Sequence, residues 1–380
     1  DGDTLITSPL QLAETTAGEG THLMAEPIRF FLPGPTYVTR SVRDALTAPL
    51  VGHRSEDGRA LYTSVTGLLP SIFRTERDVY VATGSATLVM QAALQSTVRE
   101  RVLHLTCGAF SRRWHEISRS LGYAADVVEF PWGEAVDPER VRAALGRTRY
   151  DAVTFAHNET STGVLSPAAE IAAVVREESD ALVIVDAVSS LAGAPVEVDE
   201  WGLDITLTAS QKALALPPGL AFFTLSERAE ARAERVADRG FYTDLLRYRD
   251  KHRAGGTITT PALSILYAAD RQLAHVLEEG LPERWARHRD CLGVVTSWAV
   301  EHGFEFLPRD HRSPTVSCLR PPRGLEAVGL VRRLADRGFT IGTGYGELKA
   351  ETLRIGHMGE IGPGDLALLL ESFDEVLAEA

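Results

Sequence analysis

Between residue 27 and about residue 225, short apolar runs rich in β-branched residues alternate with stretches whose apolar positions recur every three to four residues. The runs are DVYVAT (78–83), RVLHLT (101–106), AADVVEF (124–130), DAVTFAH (151–157), ALVIVDA (181–187), ITLTAS (205–210) and GLAFFTL (219–225). Helical periodicity fills the intervals near 86–99, 110–121, 137–145 and 167–178. Strand and helix in alternation predict βαβ units around a mostly parallel sheet sandwiched by helices, an α/β domain. Beyond about 262 the pattern changes to one long amphipathic stretch through 302. It is followed by strands near 314–319, 338–342 and 352–357 and by helices near 324–336 and 363–378. That segment predicts a smaller C-terminal α+β domain. Residues 1–26 are polar and without period, so a poorly ordered extension is expected there. The expected organisation is therefore an extension at 1–26, a large domain at 27–262 and a small domain at 263–380.

Composition narrows the class. Of 380 residues, 44% are hydrophobic and 24% charged, an ordinary globular balance with enough chain for a large core. Asp and Glu number 52 against 39 Lys and Arg, and the net charge of −13 has the wrong sign for binding nucleic acid or anionic lipid through bulk electrostatics. No apolar run approaches the length of a membrane span, and no basic-then-apolar signal peptide opens the chain. Cys107, Cys291 and Cys318 are scattered without metal-ligand spacing, which fits a reducing cytosol and neither a disulfide framework nor a metal site. A cytoplasmic protein with small-molecule partners is expected.

The basic residues are almost all Arg, so lysine chemistry has only Lys212, Lys251 and Lys349 to draw on. Lys212 follows an apolar strand in SQKALALPPGL, where a desolvated amine is either paired at the sheet edge or used covalently. Asp186 ends the strand VIVD, placing an acid where ligands of open α/β sheets gather; it either caps a turn or faces a cationic ring nitrogen. Thr83-Gly84-Ser85-Ala86-Thr87 passes from strand to helix, and such a helix start can hold a phosphate or simply make a turn. Phe110 arrives at the same sheet end, to stack on a ring or to pack in the core.

Together these residues put a lysine, an acid, a phosphate cradle and an aromatic at the carboxyl ends of different strands. In that combination the chain resembles the class V aminotransferases of pyridoxal-phosphate fold type I, the group of the alanine-glyoxylate, serine-pyruvate and phosphoserine aminotransferases. The resemblance runs through FLPGPTYV (31–38), TGSAT (83–87), HNETSTGV (157–164), VDAVSS (185–190), SQKALALPPGL (210–220) and LRIGHMGE (353–360). It implies a pyridoxal 5'-phosphate cofactor joined as a Schiff base to Lys212, with Asp186 beside the pyridine nitrogen and Phe110 stacked on the ring. Gly84, Ser85, Ala86, Ser210 and Gln211 fall in the segments that hold the cofactor, and Thr160 where a hydroxyl meets the ring oxygen. Thr257 and Thr260 match positions lent to the phosphate of a neighbouring subunit, which implies a homodimer with shared sites. Arg354 matches the clamp on the substrate carboxylate, and Gly34 lies on the N-terminal pocket loop. His53-Arg54 corresponds to a pair that helps bind the side-chain phosphate of phosphoserine in some relatives and is present in others that use no phosphorylated substrate.

The activity so implied is ping-pong transfer of an amino group between a small α-amino acid of the alanine, serine or phosphoserine type and a 2-oxo acid such as glyoxylate, pyruvate or 2-oxoglutarate. The alternatives on the same fold are a lyase, desulfurase or decarboxylase, and a non-catalytic cofactor-binding regulatory module. A desulfurase needs a mobile cysteine in a second-domain loop, whereas Cys318 lies in the strand-like SPTVSCLR; a regulatory module would bring a basic helix-turn-helix segment. His157 and His357 are expected in the pocket wall or core. GTGYG (342–346) lacks the βαβ surroundings of a dinucleotide fingerprint.

Overall fold

A computed structural model describes residues 28–379, so the expectation for residues 1–26 lies outside the described residues. The central sheet has seven strands in the spatial order Val79–Thr83, Leu220–Leu225, Ile205–Ala209, Leu182–Asp186, Ala152–Ala156, Arg101–Thr106, Ala124–Glu129. All run parallel except Leu220–Leu225, which is antiparallel to both neighbours.

Helices cover both faces, and the unbroken apolar character of the middle strands follows from that double burial. Along Leu182–Asp186 the side chains alternate between two cores. Leu182 and Ile184 join Val89, Leu94, Trp114 and Phe223 on one side, beneath helices Ala86–Thr97 and Ala109–Leu121. Val183 and Val185 join Val65, Leu69, Phe155, Ile171 and Leu273 on the other, beneath helices Glu56–Phe73, Ala168–Glu178 and Leu263–Glu279. Each fully buried Val or Leu contributes roughly 1.5 to 3 kcal/mol, so these two layers fix the sheet that carries the site. The outer strand Ala124–Glu129 stays half-exposed and carries Asp126 and Glu129, charges that discourage pairing with another chain.

A second sheet takes the order Phe30–Phe31, Thr340–Thr343, Leu353–Gly356, Val316–Arg320, Glu305–Phe306. It packs against helices Leu281–Glu301, Ala327–Asp336 and Pro363–Ala378 through Phe31, Trp298, Leu334 and Phe373. Two observations bear on the organisation of the chain. Phe30 and Phe31, assigned to the large domain, pair in parallel with Thr340 and Ile341 of the second sheet. The long stretch from 262 to 302 is two helices divided at Gly280, whose φ is +88°, and the first of them packs in the large core through Leu266, Leu273 and Val276. The helix Leu263–Glu279 thus packs with the large core. Among the described residues no helix is long and apolar enough to cross a membrane.

Candidate active site

Thr83, Ala156, Asp186 and Ala209 end their strands at one edge of the central sheet, and the second sheet brings Arg354 to the same place. Between them lies a cavity of about 120 Å³ whose walls include Ser85, Phe110, Asn158, Asp186, Gln211 and Lys212.

Lys212 sits on the loop after Ile205–Ala209, and the loop is held on several sides. Thr36 N–H donates to Gln211 O at 3.1 Å. The Thr36 hydroxyl donates to Lys212 O at 3.0 Å. Arg284, wholly buried on helix Leu281–Glu301, donates to Ala213 O at 2.9 Å. The amine donates to Pro33 O on the segment that returns from the second sheet. It lies 5.7 Å from the centroid of the Phe110 ring. Position 34 suits glycine, since its φ is +124° and a Cβ there would crowd the Lys212 side chain at 2.4–2.5 Å. Burial, reinforced by the Arg354 charge, lowers the Lys212 pKa from 10.5 to about 8.

Asp186 is buried beside it. One carboxylate oxygen accepts from Val188 N–H at 2.8 Å. Burial pushes its pKa up to about 6, partly offset by that N–H and by the Lys212 amine. Helix Ala86–Thr97 starts at Ser85, whose side chain makes no capping bond, so the first-turn N–H groups face the cavity without a side-chain partner. Arg113 reinforces the positive end: its guanidinium lies 5.0 Å over the Phe110 ring and 3.4 Å from Thr87 Oγ1. Glu159 holds Phe110 in place from below. Its carboxylate accepts from Phe110 N–H at 3.2 Å and from Ser111 N–H at 2.8 Å, at the start of helix Ala109–Leu121.

Arg354 is 9% exposed. Its Nε donates to Thr343 O at 3.0 Å and its Nη1 to Thr160 O at 3.1 Å. The Thr160 hydroxyl bonds that of Ser189. Asn158 donates to Ser189 O and Thr315 Oγ1, while its buried Oδ1 has no partner among the described residues.

This donor set fits pyridoxal phosphate: an open helix start and Arg113 for a phosphate, a buried carboxylate for a ring nitrogen, Phe110 for a ring face, an amine for an aldehyde, and the orphaned Asn158 oxygen for a polar substituent.

Other expected residues lie elsewhere. Gly84 forms the turn before the helix, its N–H bonded to Gly219 O. Ser210 does not line the cavity; its hydroxyl donates to Pro217 O and accepts from Leu220 N–H, closing the loop around Lys212. His53 and Arg54 precede helix Glu56–Phe73, and Arg54 is exposed. Thr260 is exposed too, and Thr257 donates to Thr259 O at 2.6 Å. None of these four residues lines the cavity of its own chain. The three cysteines are buried free thiols, each with its pKa pushed up by burial. His157 is buried edge-on to Trp201, and His357 bonds the Ser317 hydroxyl at 2.9 Å. Sequence reasoning missed Arg113, Glu159 and Ser189. Arg113 was within reach, since three residues after Phe110 is the same helix face.

Comparison with known proteins agrees with the geometry. The chain is 36% identical, over 92% of its length and 92% of the relative's, to an uncharacterized aminotransferase of Methanocaldococcus jannaschii. It is 31% identical to the L-aspartate–glyoxylate aminotransferase of Paracoccus denitrificans, covering 87% of this chain and 86% of that one. The crystal structure of a subgroup IV aspartate aminotransferase from Thermus thermophilus superposes with a TM-score of 0.85 at 33% identity, over 92% of this chain and 99% of that one. The family model for class-V aminotransferases matches residues 79–289. A match over more than half the chain, with a relative this similar along nearly its whole length, makes the protein a member of the class-V aminotransferase family, built on the fold type I architecture of pyridoxal-phosphate enzymes.

Proposed function

We propose that this aminotransferase holds pyridoxal phosphate in the cavity at Lys212 and moves an amino group from a small α-amino acid to a 2-oxo acid of the glyoxylate type. The observation that carries the reading is a buried lysine with a pKa near 8 that shares one cavity with Asp186 and an open helix start. Glyoxylate as acceptor is supported by the name of the Paracoccus relative. The cofactor supplies an aldehyde for amines to condense with and a ring that takes up the electron pair left when Cα loses its proton.

The chain's residues do the rest. Lys212 Nζ would hold the cofactor through its aldehyde carbon, and as a free base it is placed to carry a proton between the substrate Cα and that same aldehyde carbon. Asp186 keeps a negative charge beside the ring nitrogen and so favours a proton there. Phe110, fixed through Glu159, covers one face. Ser85, Ala86, Gln211 and Arg113 bind the phosphate, and Arg354 orients the substrate carboxylate through a planar, permanently charged fork. Thr257 and Thr260, which do not line their own chain's cavity, are assigned to the phosphate of a partner subunit in a homodimer, and His53 and Arg54 to the substrate. A cytoplasmic setting is supported by the three free thiols.

The test is a panel of half-reactions with aspartate, alanine, serine and phosphoserine, followed by the bound cofactor's absorbance, with glycine production then measured on adding glyoxylate. Amino transfer is expected from at least one unphosphorylated donor. Release of CO2 or sulfide without amino transfer would replace this reading with a decarboxylase or desulfurase. A marked preference for phosphoserine, lost in Arg54→Ala, would assign His53-Arg54 to a side-chain phosphate.

A further inference from the structure

The glycine-rich GTGYG at 342–346 leaves strand Thr340–Thr343 and turns sharply into the single 3-10 turn Gly346–Leu348. A Cβ at Gly344 would fall 2.0 Å from Leu348 O, and Gly346 has φ +57°. The two glycines thus let a narrow tip form, and Tyr345 stands on it. The Tyr345 ring lies 5.1 Å from that of Phe110, tilted by 33°. The guanidinium of Arg354 lies 5.4 Å over the Tyr345 ring. Tyr345 is 37% exposed, whereas Thr160 and Arg354 itself are buried.

We propose that Tyr345 is a positioning residue for substrate binding: its ring face fixes the plane of the Arg354 guanidinium and so presents the clamp to the substrate carboxylate in one orientation. The inference rests on the reading of Arg354 as that clamp. Arg354 donates through Nε and Nη1 to two carbonyls, and among the described residues Nη2 has no partner. These two hydrogen bonds fix the guanidinium within its plane but resist rocking out of the plane only weakly. An aromatic face against it removes that freedom, and the contact is strengthened because the cation is largely desolvated. A bidentate grip on a carboxylate depends on this planarity. Phe110 also packs against the Tyr345 ring, so the ring proposed to stack on the cofactor and the group proposed to bind the substrate both contact Tyr345.

The experiment compares holoenzyme carrying Tyr345→Phe, Tyr345→Leu, Tyr345→Ala or Arg354→Lys in single half-reactions with alanine, separating the half-saturation concentration from the limiting rate. Tyr345→Leu and Tyr345→Ala should raise half-saturation roughly three- to tenfold, the range of a partly desolvated cation–π contact, with the limiting rate within about twofold. Tyr345→Phe keeps the π face and should match wild type. The cofactor's absorbance and dissociation constant should not change in any Tyr345 variant. Wild-type half-saturation in Tyr345→Leu overturns the inference, as does a loss in Tyr345→Phe equal to that in Tyr345→Ala. A fall in limiting rate or cofactor affinity with half-saturation unchanged also overturns it, since the ring would then serve only loop structure. Arg354→Lys separates the two readings: if it leaves alanine binding intact the clamp itself is wrong, whereas if it weakens binding and Tyr345→Leu does not, only the role of Tyr345 falls.

Discussion

The amine of Lys212 and the carboxylate of Asp186 are each pushed by burial toward their neutral forms, yet the proposed chemistry needs one as a free base and the other charged. For the lysine the two pressures agree. With a pKa near 8 in place of 10.5, Lys212 should react with an aldehyde at a rate that rises with pH and levels off above about 8. Borohydride trapping of pyridoxal phosphate on the cofactor-free chain, with the modified lysine located by peptide mapping, gives the profile; a Lys212 midpoint near 10 would contradict this expectation. For Asp186 the pressures conflict. Its folded pKa of about 6 lies above the reference 3.8, so its contribution to stability is fully present below pH 3.8 and is lost as pH rises through 6. In the cofactor-free chain, Asp186→Asn should therefore be more stable than wild type at pH 7, on the order of 2 kcal/mol, and no more stable near pH 4. The same variant should lose amino transfer by about a hundredfold or more, because the ring nitrogen loses its counter-charge. Urea midpoints at the two pH values check the first half; equal midpoints at pH 7 would show that Asp186 carries no burial cost. Both residues stood out in the sequence because Asp186 ends an apolar strand and Lys212 follows one. Glu159 and Ser189 were not, since their roles depend on which backbone N–H and hydroxyl groups the fold brings to them.

Helix Leu281–Glu301 shows what an element adds beyond the residues of the cavity. It inserts Arg284 behind the Lys212 loop, where the guanidinium bonds Ala213 O, Glu279 and, at 2.8 Å, Glu360 just past the Arg354 strand. Burial raises the pKa of Glu360, but Arg284 outweighs it and holds the carboxyl down at about 2. The stability this gives is present above the ordinary value of 4.5 and lost as pH falls through 2. Arg284→Met leaves Glu360 and Glu279 without that cation, and breaking such a buried network costs about 3 kcal/mol or more at pH 7. Because Glu360 would then protonate more easily, the deficit should shrink toward pH 4. Denaturant midpoints of both proteins at the two pH values test this, and a deficit that grows on acidification would contradict it. At this scale the sequence was a good guide where the period was clean: the strands of the central sheet lie within a residue or so of the expected runs. Helix Glu56–Phe73 escaped notice because Gly58, Gly67 and Pro70 break its pattern, although Leu61, Val65, Leu69 and Ile72 keep the buried stripe. The pairing of Phe30–Phe31 with Thr340–Ile341 spans nearly the whole chain, and no local period reports it.

For the molecule as a whole, the segments 52–55 and 255–260 lie outside the cavity of their own chain; a Cβ at Gly255 would touch Arg59, whose guanidinium donates to Arg54 O. A sequence marks such segments as functional but cannot say which copy of the chain they serve, since that depends on an interface and not on local pattern. Under the proposed two-fold arrangement each subunit brings Thr257 and Thr260 to the phosphate end of its partner's cavity. Two defects should then complement. Lys212→Ala removes the anchoring amine of its own cavity, and Thr260→Asp sets a carboxylate against the phosphate of the partner's cavity, so each homodimer should be inactive. In a hybrid, one cavity carries both defects and the other carries neither. Random reassortment of equal amounts makes half the dimers hybrid, each with one intact cavity of two, so activity should return to about a quarter of wild type. The measurement is glycine formation from glyoxylate after subunit exchange, with exchange followed independently by native mass spectrometry. If hybrids form and activity stays at the level of the parents, Thr260 acts within its own chain or not at all, and a fully active monomer in light scattering would remove the shared site altogether.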